Sequence, residues 1–235
     1  MKLKFPYDAV ETEDKKMGMF SRKDMVRLFG PLLVEQLLAV LVGMADVVMV
    51  AAVGETAVSG VALVDSISVL VIQVLSAMAT GGAVVCAQYI GKKRQDQACR
   101  AAGQLVLITA VLSLLIASTA FIGNRHLLRL IFGSVETEVM DNAATYFWFT
   151  AMSYPFLALY NSGAALFRSM GNSKVSMKVS LAMNAINVAG NALCVFGLRM
   201  GVEGVAIPTL LSRMFAAVVM VLLVRSPKNS IRVNR

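Results

Sequence analysis

Four stretches of this chain run for about twenty residues or more without one charged side chain: 66–91, 101–124, 142–167 and 179–198. About twenty predominantly apolar residues, wound as a helix, span the roughly 30 Å hydrocarbon core of a bilayer. Two further stretches have that length but carry charges, 28–53 with Glu35 and Asp46 and 202–224 with Arg213. The fifth run reads back to its helix start at Ser176, giving 176–198. The expected fold is an all-α membrane protein of six transmembrane helices. A membrane barrel would need ten-residue segments of alternating polarity, and the sequence has none. Composition agrees: 57% of the residues are hydrophobic and 15% charged, and mean hydropathy is +0.71. Soluble domains carry about 25% charged residues, and disordered chains are more polar still.

The basic residues orient the chain. Eighteen of the 22 lysines and arginines fall before the first span, in the second and fourth loops, or after the last span. Arg125, Arg129 and Arg199 fall on the other side, and Arg213 lies within a span. The positive-inside rule then puts both termini in the cytoplasm of a multi-pass protein of the cytoplasmic membrane, as an even number of spans requires. The net charge of +8 is therefore spent at a membrane surface, and a nucleic-acid partner is not expected. Residues 1–20 read as a cytoplasmic N-terminal segment, 21–224 as the six-span unit, and 225–235 as a basic cytoplasmic tail. The first apolar run has no small-residue cleavage site after it and reads as retained helix. Ser21 to Asp24 has the capping-box spacing that opens a helix, and Gly91 stands where a helix C-terminal glycine belongs. Pro31, Pro155 and Pro208 fall inside spans, where neighbouring helices can satisfy the freed carbonyls.

A charged side chain at mid-membrane costs about 2.5–3.5 kcal/mol on insertion scales, which makes each one a functional candidate. Asp46 and Glu35 are eleven residues apart, about three helical turns, so both carboxylates project from nearly one face. Arg213 needs a counter-charge within the bundle, and Glu35 is the expected partner, because an unpaired buried charge is costly. The fifth span carries Asn184, Asn187 and Asn191, the last two stacked at i, i+4. By helical rise Asn191 and Asp46 reach similar depths. An acid among amides in low dielectric is suited to exchanging protons, although amides inside a bundle also serve as interhelical glue. Gly81 and Gly82, with Ala77 and Ala83, read as a close helix contact. Cys86, Cys99 and Cys194 read as small apolar fillers. His126 is alone in an outer loop, which leaves hydrolytic and metal chemistry without apparatus. No enzyme and no cofactor is expected.

Five segments carry a family resemblance: 31–50 (PLLVEQLLAVLVGMADVVMV), 85–91 (VCAQYIG), 167–174 (FRSMGNSK), 184–197 (NAINVAGNALCVFG) and 201–209 (GVEGVAIPT). In this order, over about 21–224, they resemble the N-terminal half of multidrug and toxic compound extrusion (MATE) transporters. The resemblance implies one lobe of a twelve-helix, two-lobe antiporter that exports amphipathic, often cationic compounds in exchange for H⁺ or Na⁺. It implies an ion-coupling acid at Asp46, a possible sodium ligand, in a pocket with Asn187 and Asn191, and cavity-lining roles for Tyr146, Asn161 and Thr209. Glu35 is the other first-span acid available for coupling. Asn191 departs from the pattern, since an aspartate is common there, and Ala164 stands where another amide occurs.

Six spans are half of what such transporters have. The chain is therefore expected to act as an N-lobe in the lipid bilayer, with a separate C-lobe or a second copy of itself as partner and small organic cations as substrates. The alternatives are a truncated, non-transporting remnant or scaffold, and half of a lipid-linked-sugar flippase relative. The flippase would call for more than the single mid-span cation Arg213.

Overall fold

The computed structural model describes residues 22–226, and all six elements in them are helices: α1 Arg22–Ala51, α2 Glu55–Gly91, α3 Gln95–Phe132, α4 Thr137–Ser169, α5 Ser173–Ala192 and α6 Glu203–Arg225. A five-residue π-helical turn, Leu193–Gly197, continues α5. The segment 1–20, the cap at Ser21 and the tail beyond Ser226 lie outside the described residues.

The helices overrun the spans read from hydropathy. α2 begins at Glu55, eleven residues ahead of the expected 66, and α3 continues to Phe132, past the expected 124. Hydropathy detects the part of a helix that sits in hydrocarbon. The backbone stays helical where polar side chains re-enter the interface, and the loops shrink to a few residues. The second helix ends at Gly91, where the sequence puts its end, but the left-handed residue that closes it lies two positions further on. Lys92 caps α2, and Lys93 takes the left-handed turn (φ 55°). Its N–H donates to the Ile90 carbonyl at 2.9 Å, and the Arg94 N–H to the Tyr89 carbonyl at 3.0 Å. That is a Schellman closure with a lysine at the position a glycine usually fills.

Five helices are long and apolar enough to cross a membrane: Phe29–Ala51 within α1, α2, α3, Ser173–Gly197 and α6. α4 is as long, at 33 residues, but less apolar, and its packing explains why. It runs through the middle of the bundle against α2, α3 and α6, with more than half of its residues buried. Its polar groups are used on neighbours. The Tyr154 hydroxyl bonds Ser68 of α2 at 3.1 Å, Ser162 bonds Thr109 of α3 at 2.8 Å, and the Ala144 carbonyl accepts from Asn124 of α3 at 2.9 Å. A helix that faces protein over most of its surface needs few lipid-facing residues, and Trp148 and Met152 are the large apolar side chains it leaves exposed. Two apolar clusters occupy its ends, one around Phe147, Tyr154 and Leu128, the other around Leu166, Leu105 and Met220.

α1 is the peripheral helix. It docks chiefly on α5, buries Met49 and Val50 near its end, and leaves Leu33, Leu37, Leu41, Met44 and Val48 exposed. Of the paired glycines in α2, Gly82 faces Leu105 of α3, where an added Cβ would come within 2.4 Å of its side chain, whereas Gly81 faces open space.

Candidate functional site

Where α1 docks on α5, the two helices share a polar chain. The Asn191 amide donates to Oδ1 of Asp46 at 2.8 Å and to Oδ1 of Asn187 at 3.3 Å. Asn187 donates to Oγ1 of Thr209 on α6 at 2.9 Å, and the Thr209 hydroxyl donates to the Val205 carbonyl at 2.8 Å. The i, i+4 spacing on α5 stacks the two amides. Gly190 lets α6 come close enough for the third link, since a Cβ there would lie 2.7 Å from Cβ of Pro208. Asn191 is 0% exposed, and its Oδ1 has no hydrogen-bond partner among the described residues. An unsatisfied buried oxygen costs about 1–3 kcal/mol.

A cavity of about 270 Å³ opens beside this chain. Gly43, Asp46, Val47 and Val50 of α1 line it, with Val58, Val61, Ala62 and Asp65 of α2, Tyr146 of α4, and Thr209 and Arg213 of α6. Tyr146 and Thr209, to which the resemblance gave cavity-lining roles, are among these residues. Asp65 was not foreseen. It is exposed at the open side and accepts from the Tyr146 hydroxyl at 3.4 Å. The signal for it was present: Val58, Val61, Ala62 and Asp65 follow i, i+3, i+4, i+7, the spacing of one helix face.

Two expectations need correction. Arg213 does not pair with Glu35. Its Nη1 donates to Oγ of Ser153 at 2.6 Å, while Glu35 accepts from the Tyr160 hydroxyl at 2.9 Å and from Ser176 at 3.2 Å. Ser153 and Tyr160 are seven residues apart on α4, about 10 Å along its axis, so the two charges sit in different layers. Glu35 is thus a second anchor of α1 on α4 and α5, away from the cavity. Asn161, expected to line the pocket, does not. It follows Tyr160 in the Glu35 layer, roughly 22 Å along α4 from Tyr146, and is half-buried there. Among the described residues, no cluster of three or more His, Cys, Asp or Glu side chains could hold a metal ion.

Long apolar helices around a carboxylate-bearing cavity are the architecture of a polytopic membrane protein. Residues 31–193 match the MatE family model, and the chain belongs to that family, whose members are membrane transporters. It is 28% identical over 215 residues to the uncharacterized transporter YisQ of Bacillus subtilis, covering 90% of this chain and 46% of that protein. It is 28% identical over 203 residues to the probable multidrug resistance protein NorM of Thermotoga maritima, covering 83% of this chain and 43% of the relative. Among solved structures, an outward-facing multidrug resistance MATE transporter superposes with a TM-score of 0.84 at 20% identity, over 90% of this chain and 47% of the other. A MOP superfamily transporter from Pyrococcus furiosus gives the same values. The chain spans about half the length of the relatives it matches.

Proposed function

We propose that this chain is the N-terminal lobe of a cation-coupled antiporter that exports amphipathic, often cationic compounds across the cytoplasmic membrane, with Asp46 as its ion-coupling acid. The observation that carries this is the 2.8 Å contact between Asp46 and the wholly buried Asn191 at the edge of a cavity. The unpartnered Oδ1 of Asn191 supplies an oxygen beside that carboxyl for a proton or a sodium ion. Asn187 and Thr209 hold Asn191 in register, and Tyr146 forms part of the cavity wall. Lobe membership in the MatE family and the NorM relative support multidrug export as the work of the assembled protein.

In this reading α4 is the remaining crossing, which gives six spans with both termini cytoplasmic. Its packing along α2, α3 and α6, each apolar enough to cross, supports this. A cysteine introduced at Lys93 should react with an impermeant maleimide only from the cytoplasmic face. Labelling from outside would overturn the orientation.

Alternating access requires two units rocking about a site, so the six-helix unit works with a second lobe. Ethidium efflux by this chain alone, against the chain co-expressed with the C-terminal half of a full-length MatE relative, tests the reading. Efflux that appears on co-expression, or that is present alone in a chain shown to dimerise, supports it. A stably folded chain with no efflux in either setting makes it a non-transporting remnant or scaffold.

A further inference from the structure

We propose that Asp65 and Arg213 fix the charge of the Asp46 cavity at one negative unit, so that it takes a single monovalent cation, inorganic or alkylammonium, in preference to a dication. The inference rests on the reading of this cavity as a cation site.

Three side chains that can carry charge line one space: Asp46 from α1, Asp65 from α2 and Arg213 from α6. They are not joined in an ion pair. Among the described residues the one ion pair is Arg125 with Asp141 at the bundle's edge, so no described carboxylate oxygen lies within 4.0 Å of the Arg213 guanidinium. Instead α4 holds the second acid and the base separately, Asp65 through Tyr146 at 3.4 Å and Arg213 through Ser153 at 2.6 Å. Tyr146 and Ser153 are seven residues apart, about two turns along one face of α4. A direct pair would fill the space and cancel both charges. Held apart, the charges leave about 270 Å³, room for a sodium ion with several waters at about 30 Å³ each, or for a small alkylammonium.

Arginine keeps its charge in proteins, so Arg213 is a permanent counter-charge. With both carboxylates ionised the cavity carries minus one. A monovalent cation brings it to neutrality, and a divalent one overshoots to plus one.

The purified full chain in nanodiscs tests this with ²²Na⁺, ⁴⁵Ca²⁺ and ¹⁴C-tetramethylammonium, the two metal ions being nearly equal in radius so that charge separates them. The wild type should retain Na⁺ or tetramethylammonium at least about tenfold more tightly than Ca²⁺. Which monovalent probe is retained identifies the ligand as inorganic or organic, and either supports the proposal. Arg213→Gln should strengthen Ca²⁺ retention by about tenfold or more, and Asp65→Asn should weaken the retained monovalent cation by a similar factor. The double variant, again at minus one, should return to the wild-type preference. Single variants that keep the wild-type order and strength, or a double variant without the monovalent preference, overturn the proposal while leaving the cavity a cation site. A wild type that retains none of the probes removes the cation-site reading and this inference with it. Where a single variant gives no monodisperse protein, the double against wild type decides by the same criterion.

Discussion

Gly60→Val is expected to cost the bundle about 3 kcal/mol, the upper range for overpacking, and to cut the yield of monodisperse protein severalfold. A Cβ at Gly60 would sit 2.9 Å from the Ala143 nitrogen and 2.9 Å from the Val139 carbonyl oxygen, both backbone atoms of α4. Side chains can rotate away from an intruder, but a helix backbone moves only as a body. The contact lies where α2 meets α4, the most extensive interface in the bundle. Forcing it open would also pull Asp65 away from Tyr146, both of which line the cavity. Gly81→Ala is the matching control, because nothing lies within 4 Å of its added Cβ. It should be neutral or slightly stabilising, as alanine gains about 0.5–1 kcal/mol over glycine within a helix. Thermal midpoints in detergent, read beside size-exclusion profiles, check both. A Gly60→Val protein melting with the wild type would refute the close α2–α4 contact.

Asn191→Leu carries the second large effect, about 2 kcal/mol, because it strips donors from two oxygens at once and recovers only the cost of one, its own unpartnered Oδ1. Asp46 and Asn187 each lose the amide that reaches them, and an acceptor left unsatisfied in the interior costs about 1–3 kcal/mol. Leucine keeps the branched heavy-atom skeleton of asparagine, so the loss is chiefly in polar contacts. Since α1 docks mainly on α5, the change should show as easier detachment of α1. Faster amide exchange in α1 than in α2 to α4 is the expected signature. Uniformly faster exchange in all helices would contradict the role given to Asn191 as the local tether.

The sequence made the helices legible because the constraint on them is simple: crossing hydrocarbon takes about twenty apolar residues, and few other folds tolerate such runs. It also put Asp46 and Asn191 at similar depths, because helical rise fixes depth and both residues lie at similar distances from their helix starts; the resemblance put them in one pocket. Azimuth and competition are what depth arithmetic lacks. Glu35 is the partner expected for Arg213 on charge, yet Tyr160 and Ser176 reach Glu35 directly, and Ser153 takes Arg213. Asn161 failed for the complementary reason. It lies on the right helix, but far along it from Tyr146. Asp65 escaped notice because the second span was counted from the first uncharged residue, Ser66. The helix starts at Glu55, and its cavity face was readable only once those residues were taken as helical.

Coupling at Asp46 is the centre of the account, and drug efflux driven by an imposed gradient tests it most directly. The assay compares wild type with Asp46→Asn in cells that supply a C-terminal lobe, under a proton gradient and, separately, a sodium gradient. Asparagine keeps the size of the side chain and can still bond Asn191 through its carbonyl oxygen, so folded yield should hold. Efflux under whichever gradient drives the wild type should fall to background. Gradient-driven efflux per folded molecule equal to wild type in Asp46→Asn would contradict the account and remove this carboxylate from the mechanism.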